Sequence, residues 1–231
     1  MLIKGESFVR LGEQITKVNL TERLDLILTE SWQLFKAHCL YGRAPLHKEA
    51  SFQHNFANII EKVGTLYCFT KTEAFYVDLE YSIMKQTGFN KKVDVDIICE
   101  LRNFELNEKV KAAIELKHTI KPGDATDIGR IGSYQDIHRL ELLKELKTEG
   151  FDLCKFYMLA NRKAFTDISQ PETSGEDFPT YDSYVIKPGK VYSTVHSKVG
   201  DGIQLKFKHE YKFVWDSYEQ PKRLYFLSVD M

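Results

Sequence analysis

Lys91-Lys92-Val93-Asp94-Val95-Asp96-Ile97-Ile98-Cys99, a polar interruption, then Ala112-Ala113-Ile114-Glu115-Leu116-Lys117 is the stretch that decides the fold. Two short apolar runs bounded by polar residues read as the strands of a hairpin, about 91–101 against 109–118. Burying an unpaired charge is costly, so acids and a lysine in such strands need a partner or a task. Strand side chains alternate faces with period two. Asp94 and Asp96 therefore share a face, as do Glu115 and Lys117, and the hairpin brings the two pairs together. A solvated Glu/Lys pair on a surface hairpin would gain only about a few tenths of a kcal/mol. Against that reading, Ile97-Ile98-Cys99 and Ala112-Ala113-Ile114 are apolar on both faces, and the charges gather at one end of the runs.

Two carboxylates on adjacent strands at the open end of a sheet make a hard oxygen site suited to Mg²⁺ or Mn²⁺. A metal there polarises a phosphoryl oxygen and lowers the pKa of bound water, and a neighbouring lysine orients that water. The chemistry that needs this set is phosphodiester hydrolysis.

Working outward, Thr21 is the predicted cap of a first helix whose stripe is Leu24, Leu28, Trp32, Phe35 and Cys39. A second helix is predicted over about 46–63, closed by Gly64, with Phe52, Phe56, Ile59 and Val63 buried. Glu49 lies three and seven residues before Phe52 and Phe56, at the end of that apolar face. An acid there also suits the helix dipole without any other role. Residues 65–84 read as two strands split by Lys71-Thr72-Glu73, and 86–90 as a turn. Pro122, Gly123, Gly129 and Gly132 predict a loop over 118–132. A helix follows from Ser133 to about 148, on a stripe of Tyr134, Ile137, Leu140, Leu143 and Leu146, and then a buried strand at 154–160. Beyond a polar loop at 167–182, alternating segments predict strands at 184–186, 191–192, 205–207, 211–215 and 224–229.

An acid on one strand and Glu-x-Lys on the next resembles the PD-(D/E)XK nuclease superfamily, the restriction-endonuclease-like fold. The motif proline is absent: Val93 or Val95 stands before the acid. The resemblance covers about 46–162. It implies an α/β fold, a mixed sheet flanked by helices, here with a β-rich C-terminal extension. A single domain is expected over 1–231, with a helical part at 1–45, the nuclease-like core at about 46–165 and the extension at 166–231. The resemblance further implies that Asp96 and Glu115 hold Mg²⁺ (Mn²⁺ substituting) with the Leu116 carbonyl, and that Lys117 positions the water. Glu49 and Gln135 are auxiliary, from the helices before and after. Asp96 is preferred because the apolar run follows it directly; Asp94 stays open as the metal ligand. Lys91, Lys92, Lys121, Arg130 and Arg139 are candidates for phosphate contacts. The expected activity is Mg²⁺-dependent DNA cleavage in a restriction, defence or mobile-element setting, with a homodimer if both strands are cut. The alternative is a non-catalytic nucleic-acid-binding or assembly module that retained the fold.

Bulk properties fit. A net charge of -1 supplies no global basic field, so any nucleic acid must be held locally or through metal. Cys39, Cys68, Cys99 and Cys154 form no CxxC pair, which predicts reduced thiols and a cytoplasmic protein. There is no secretory h-region, no membrane-spanning run, no P-loop, no dinucleotide glycine pattern and no histidine ligand spacing.

Overall fold

Asn19, not Thr21, caps the first helix. Its side chain accepts the Glu22 N–H at 2.9 Å in a computed structural model that describes residues 18–44, 47–83, 92–120, 126–146, 150–196, 200 and 202–231. That bond satisfies a donor which the first turn leaves unpaired. Helix α1 (Leu20–Leu40) buries Leu24, Leu28, Trp32, Phe35 and Cys39, the stripe its spacing predicts. Helix α2 (Glu49–Leu66) runs through Gly64 instead of ending there. Gly64 serves clearance: a Cβ at this position would overlap the Phe75 ring of the next element. Where the sequence predicts two strands over 65–84, the described residues 65–83 hold a helix end and one strand, β1 (Glu73–Ile83). The turn expected at 86–90 lies outside the described residues.

The expected hairpin forms from β2 (Val93–Asn103) and β3 (Glu108–Thr119). The predicted loop does not hold where it can be seen, because Gly129 and Gly132 lie inside helix α3 (Thr126–Glu145). Both let the helix approach its neighbours closely. A Cβ on Gly129 would stand 2.9 Å from Phe165, and one on Gly132 3.3 Å from the Lys117 side chain. Pro122 and Gly123 lie outside the described residues. Strand β4 (Leu153–Ala160) follows as expected, then a 3-10 turn (Lys163–Phe165) and a short helix, α4 (Ser174–Asp177). The rest is β5 (Val185–Ile186), β6 (Val191–Ser193), β7 (Gln204–Lys206), β8 (Tyr211–Lys212), β9 (Val214–Tyr218) and β10 (Leu224–Asp230). The segment expected as one strand at 211–215 is split between β8 and β9.

The main sheet runs β1-β2-β3-β4-β10-β9. It is mixed: β3 and β4 are parallel, joined through α3, and the other neighbours are antiparallel. The C-terminal segment is integral to it, since β10 pairs with β4 and β9 lies outside β10. Helices cover both faces. Trp32, Phe35, Phe52 and Phe56 of α1 and α2 pack on Ile97, Cys99, Ile114 and Leu116. Tyr134, Ile137 and Leu140 of α3 pack on Ile98, Ala113, Phe156 and Met158 of the other face. Among the described residues, no helix is long and apolar enough to cross a membrane.

Alanine gains about 1 kcal/mol over glycine inside a helix, whereas overpacking costs about 1–3 kcal/mol. Gly64→Ala is therefore expected to lower the urea midpoint; a raised midpoint would contradict the clearance role.

Candidate active site

Beyond Ile97 and Ile114 the β2–β3 ladder stops, and the next residues on the two strands are Asp96 and Glu115. β3 continues beside β4 to Thr119, while β2 continues beside β1 to Val93. A cleft opens between them. Asp96 spans it: its Oδ2 accepts the Leu116 N–H at 2.7 Å. The N–H and C=O of one strand residue point to the same side, so the Leu116 carbonyl faces the cleft too.

β2 also twists at this point. The β1–β2 ladder pairs Leu79 with Ile97 and Tyr81 with Val95 but passes over Glu80 and Asp96. Glu80 has φ +53°, an uncommon conformation for a residue with a side chain. The Asp96 carbonyl accepts instead from Gln53 Nε2 of α2 at 2.8 Å, and the same nitrogen donates to Glu80 Oε1 at 2.7 Å. Ile97 packs in the core under α1 and α2, whereas Val95, two residues away, packs in the core on the α3 side. Strict alternation thus fails at Asp96, and the shared face expected for Asp94 and Asp96 is lost. Asp94 is exposed. The Ser82 hydroxyl and Lys92, 3.0 Å away, hold its carboxyl below the usual range. Asp96 is the acid that stands in the cleft.

Other elements supply the remaining groups. Glu49, the first residue of α2, accepts the His118 N–H through Oε2 at 2.9 Å. Glu115 and Lys117 come from β3 and meet Asp136 and Arg139 of α3. Lys117 Nζ lies 2.9 Å from Asp136 Oδ2. Arg139 reaches Glu115 Oε1 at 2.8 Å and Asp136 Oδ1 at 2.9 Å. Gly132, Asp136 and Arg139 recur at same-face helical spacing. Gln135, the helix residue expected from sequence, is exposed, and Asp136 makes the contact with Lys117 in its stead.

Four carboxylates, Glu49, Asp96, Glu115 and Asp136, thus gather around two cations, Lys117 and Arg139. Burial, reinforced by the charges of Glu49 and Asp136, pushes Asp96 up to about 6. Burial lifts Glu115 well above the usual range, against the pull of Arg139 and with Asp136 and Asp96 adding to it. Asp136 is raised by burial, opposed by Lys117 and Arg139. Burial acts to lower Lys117, but Asp136 and Glu49 outweigh it and hold the ammonium above its ordinary value. Carboxyls raised together in this way mark a place that a further cation would stabilise.

Asp136 has both oxygens engaged, by Lys117 and Arg139, whereas the other three acids each keep one uncommitted. Asp96 Oδ1, Glu49 Oε1 and Glu115 Oε2 accept no hydrogen bond among the described residues. No three His, Cys, Asp or Glu side chains among the described residues form a group that could hold a metal ion. The donors whose chemistry would suit a hard cation are a smaller set, one oxygen each from Asp96 and Glu115 with the Leu116 carbonyl, the kind of sparse set with which Mg²⁺ retains several waters. Arg139 is the competitor, since it already holds the other oxygen of Glu115.

The expected phosphate contacts fare unevenly. Arg130 is buried and donates to the Ala164 carbonyl and the Thr180 hydroxyl, so it ties α3 to the loops behind it. Arg139 is committed to Glu115 and Asp136, and Lys92 to Asp94. Lys91 and Lys121 lie outside the described residues. All four cysteines are free thiols, three of them buried. The sequence reading missed Gln53 and Asp136. Their signals were positional: Gln53 is one helical turn after Glu49, and Asp136 is one turn after Gly132. No protein-family model matches the chain, and no curated protein or solved structure matches it with significance.

The raised Asp96 carboxyl links stability to pH. The unfolded chain releases this proton near pH ~4, and the native state near 6. The stabilisation is complete below about pH 4 and is lost as pH rises through about 6. Asp96→Asn keeps an acceptor for the Leu116 N–H. It is expected to melt with the wild type in acid and several degrees above it at neutral pH. Parallel melting curves across the whole range would contradict the burial of this charge.

Proposed function

We propose that this chain is a metal-dependent nuclease of the PD-(D/E)XK type that hydrolyses phosphodiester bonds, with DNA as substrate. The observation that supports it is the parting of β2 and β3 at Asp96 and Glu115, with Lys117 on the same strand and Glu49 reaching in from α2. The order α2-β1-β2-β3-α3-β4 follows the order that the sequence resemblance implies.

Asp96, Glu115 and the Leu116 carbonyl would hold Mg²⁺, with Mn²⁺ able to replace it. Such an ion polarises the scissile phosphoryl oxygen and lowers the pKa of a coordinated water. Lys117, kept charged by Asp136 and Glu49, donates to the attacking water and offsets negative charge developing on the phosphoryl group. Glu49 acts on the backbone: by taking the His118 N–H it fixes the course of β3 just past Lys117. Asp136 aims the ammonium. Cutting both strands of a duplex would require two copies of the site, hence a dimer.

One observation favours the other reading, a nucleic-acid-binding or assembly module without the reaction: Arg139 occupies Glu115. Cleavage assays separate the two. Supercoiled, linear and single-stranded DNA and RNA are incubated with Mg²⁺ or Mn²⁺. At least one substrate is expected to be cut, and Lys117→Ala is expected to lose about 100-fold or more in rate. Equal rates for both proteins, or no cleavage by the wild type with either metal, would sink the assignment.

A further inference from the structure

On the α3 side of the sheet, α3 lies over β3 and β4 and leaves the face of β1 and β2 open. A cavity of roughly 460 Å³ occupies that open face, lined by Tyr76, Asp78, Tyr81, Glu100, Arg102 and Lys111 over a floor that includes Ile98. The strand register arranges these residues. Tyr76, Glu100 and Lys111 form one row across β1, β2 and β3. Asp78, Ile98 and Ala113 form the next, and Asp96 and Glu115 stand beyond it, past the end of the β2–β3 ladder. Lys111 and Glu115 share a face of β3, about 13 Å apart at a strand's rise per residue. The cavity therefore lies on the same face of the sheet as Glu115, on the strands that lead to the cleft.

Its lining combines three chemistries. Tyr76, 49% exposed, offers an aromatic surface, and Tyr81 offers a second. Arg102 lies over Tyr76 at 6.0 Å and over Phe104 at 5.5 Å from the ring centroids, and Lys111 lies 6.0 Å from the Tyr81 centroid. Asp78 and Glu100 bring carboxylates between these cations, and Glu100 pairs with Arg102. A track for duplex backbone is uniformly basic, and the two carboxylates would repel its phosphates. They suit the exocyclic amino group of a base, from which carboxylates accept, and an unpaired base presents both N–H donors of that group instead of one. Aromatic rings with flanking basic groups are what single strands stack on. The volume also matches a single small-ligand site, about 300–1,000 Å³.

We propose that this cavity holds one unpaired nucleotide of a single strand. The base stacks on Tyr76 and Tyr81, its amino group donates to Asp78 or Glu100, and the flanking phosphates meet Arg102 and Lys111. The strand's onward path to the cleft rests on the nuclease reading; the binding itself does not. Bases with an exocyclic amino group are preferred over thymine.

The test is fluorescence anisotropy in EDTA, so that nothing is cut, with labelled dC and dT dodecamers and a duplex of equal length. The dC oligomer is expected to bind several-fold tighter than the dT oligomer and the duplex. Tyr76→Ala and Arg102→Met are each expected to weaken it at least fivefold, Tyr76→Phe to retain it, and Glu100→Gln to narrow the gap between dC and dT. Affinities unchanged in Tyr76→Ala and Arg102→Met, or duplex bound as tightly as single strand, would overturn the proposal. Cleavage is scored separately with Mg²⁺. A protein that cuts but ignores the cavity substitutions refutes the cavity alone. One that binds dC through Tyr76 yet never cuts refutes the nuclease reading alone.

Discussion

The bond from the Leu116 N–H to the Asp96 carboxylate is the contact on which the site depends. When an antiparallel ladder stops in the interior of a sheet, the strand that continues exposes donors and acceptors that have lost their partner strand. Asp96 replaces one lost ladder bond with a side chain. The cleft is thereby kept open without leaving a buried N–H unsatisfied. The same residue is served from the other side, where Gln53 takes its carbonyl at the position the β1 ladder passes over. Side chains of two elements thus do what backbone does elsewhere in the sheet.

Charge follows from that geometry. Parting strands leave Glu115 and Lys117 facing α3, where a buried carboxylate without a partner would be costly. Asp136 and Arg139 complete a chain from Lys117 to Glu115 that orders all four side chains. The chain remains short of positive charge, as the raised Asp96, Glu115 and Asp136 carboxyls express. In the proposed function a divalent cation supplies what is missing, and Arg139 yields Glu115 to it.

The hairpin and three of its charged residues were legible in the sequence because apolar runs with charge at one end admit few other placements. Glu49 was legible through helical spacing with Phe52 and Phe56. Glycine was the systematic failure. Gly64, Gly129 and Gly132 read as breakers, but each sits inside a helix: a neighbour comes too close for a Cβ at Gly64 and Gly129, and the Lys117 side chain packs tightly on Gly132. The inward stripe of the third helix was placed correctly, but the helix was started at Ser133 instead of Thr126, and Gln135 was preferred to Asp136 as the polar residue facing the site. Period two could not separate Asp94 from Asp96, because the twist at Glu80 is a tertiary event held by Gln53. The tail read correctly as strands, yet alternation names no partner, so the pairing of β10 with β4 could not be read from it.

The most direct measurement is a crystal structure grown with Mn²⁺, with anomalous differences recorded at the manganese edge. The account predicts one peak bonded to Asp96 and Glu115 beside the Leu116 carbonyl, with Arg139 withdrawn from Glu115. A map with no peak there, and with Arg139 still on Glu115, would contradict it.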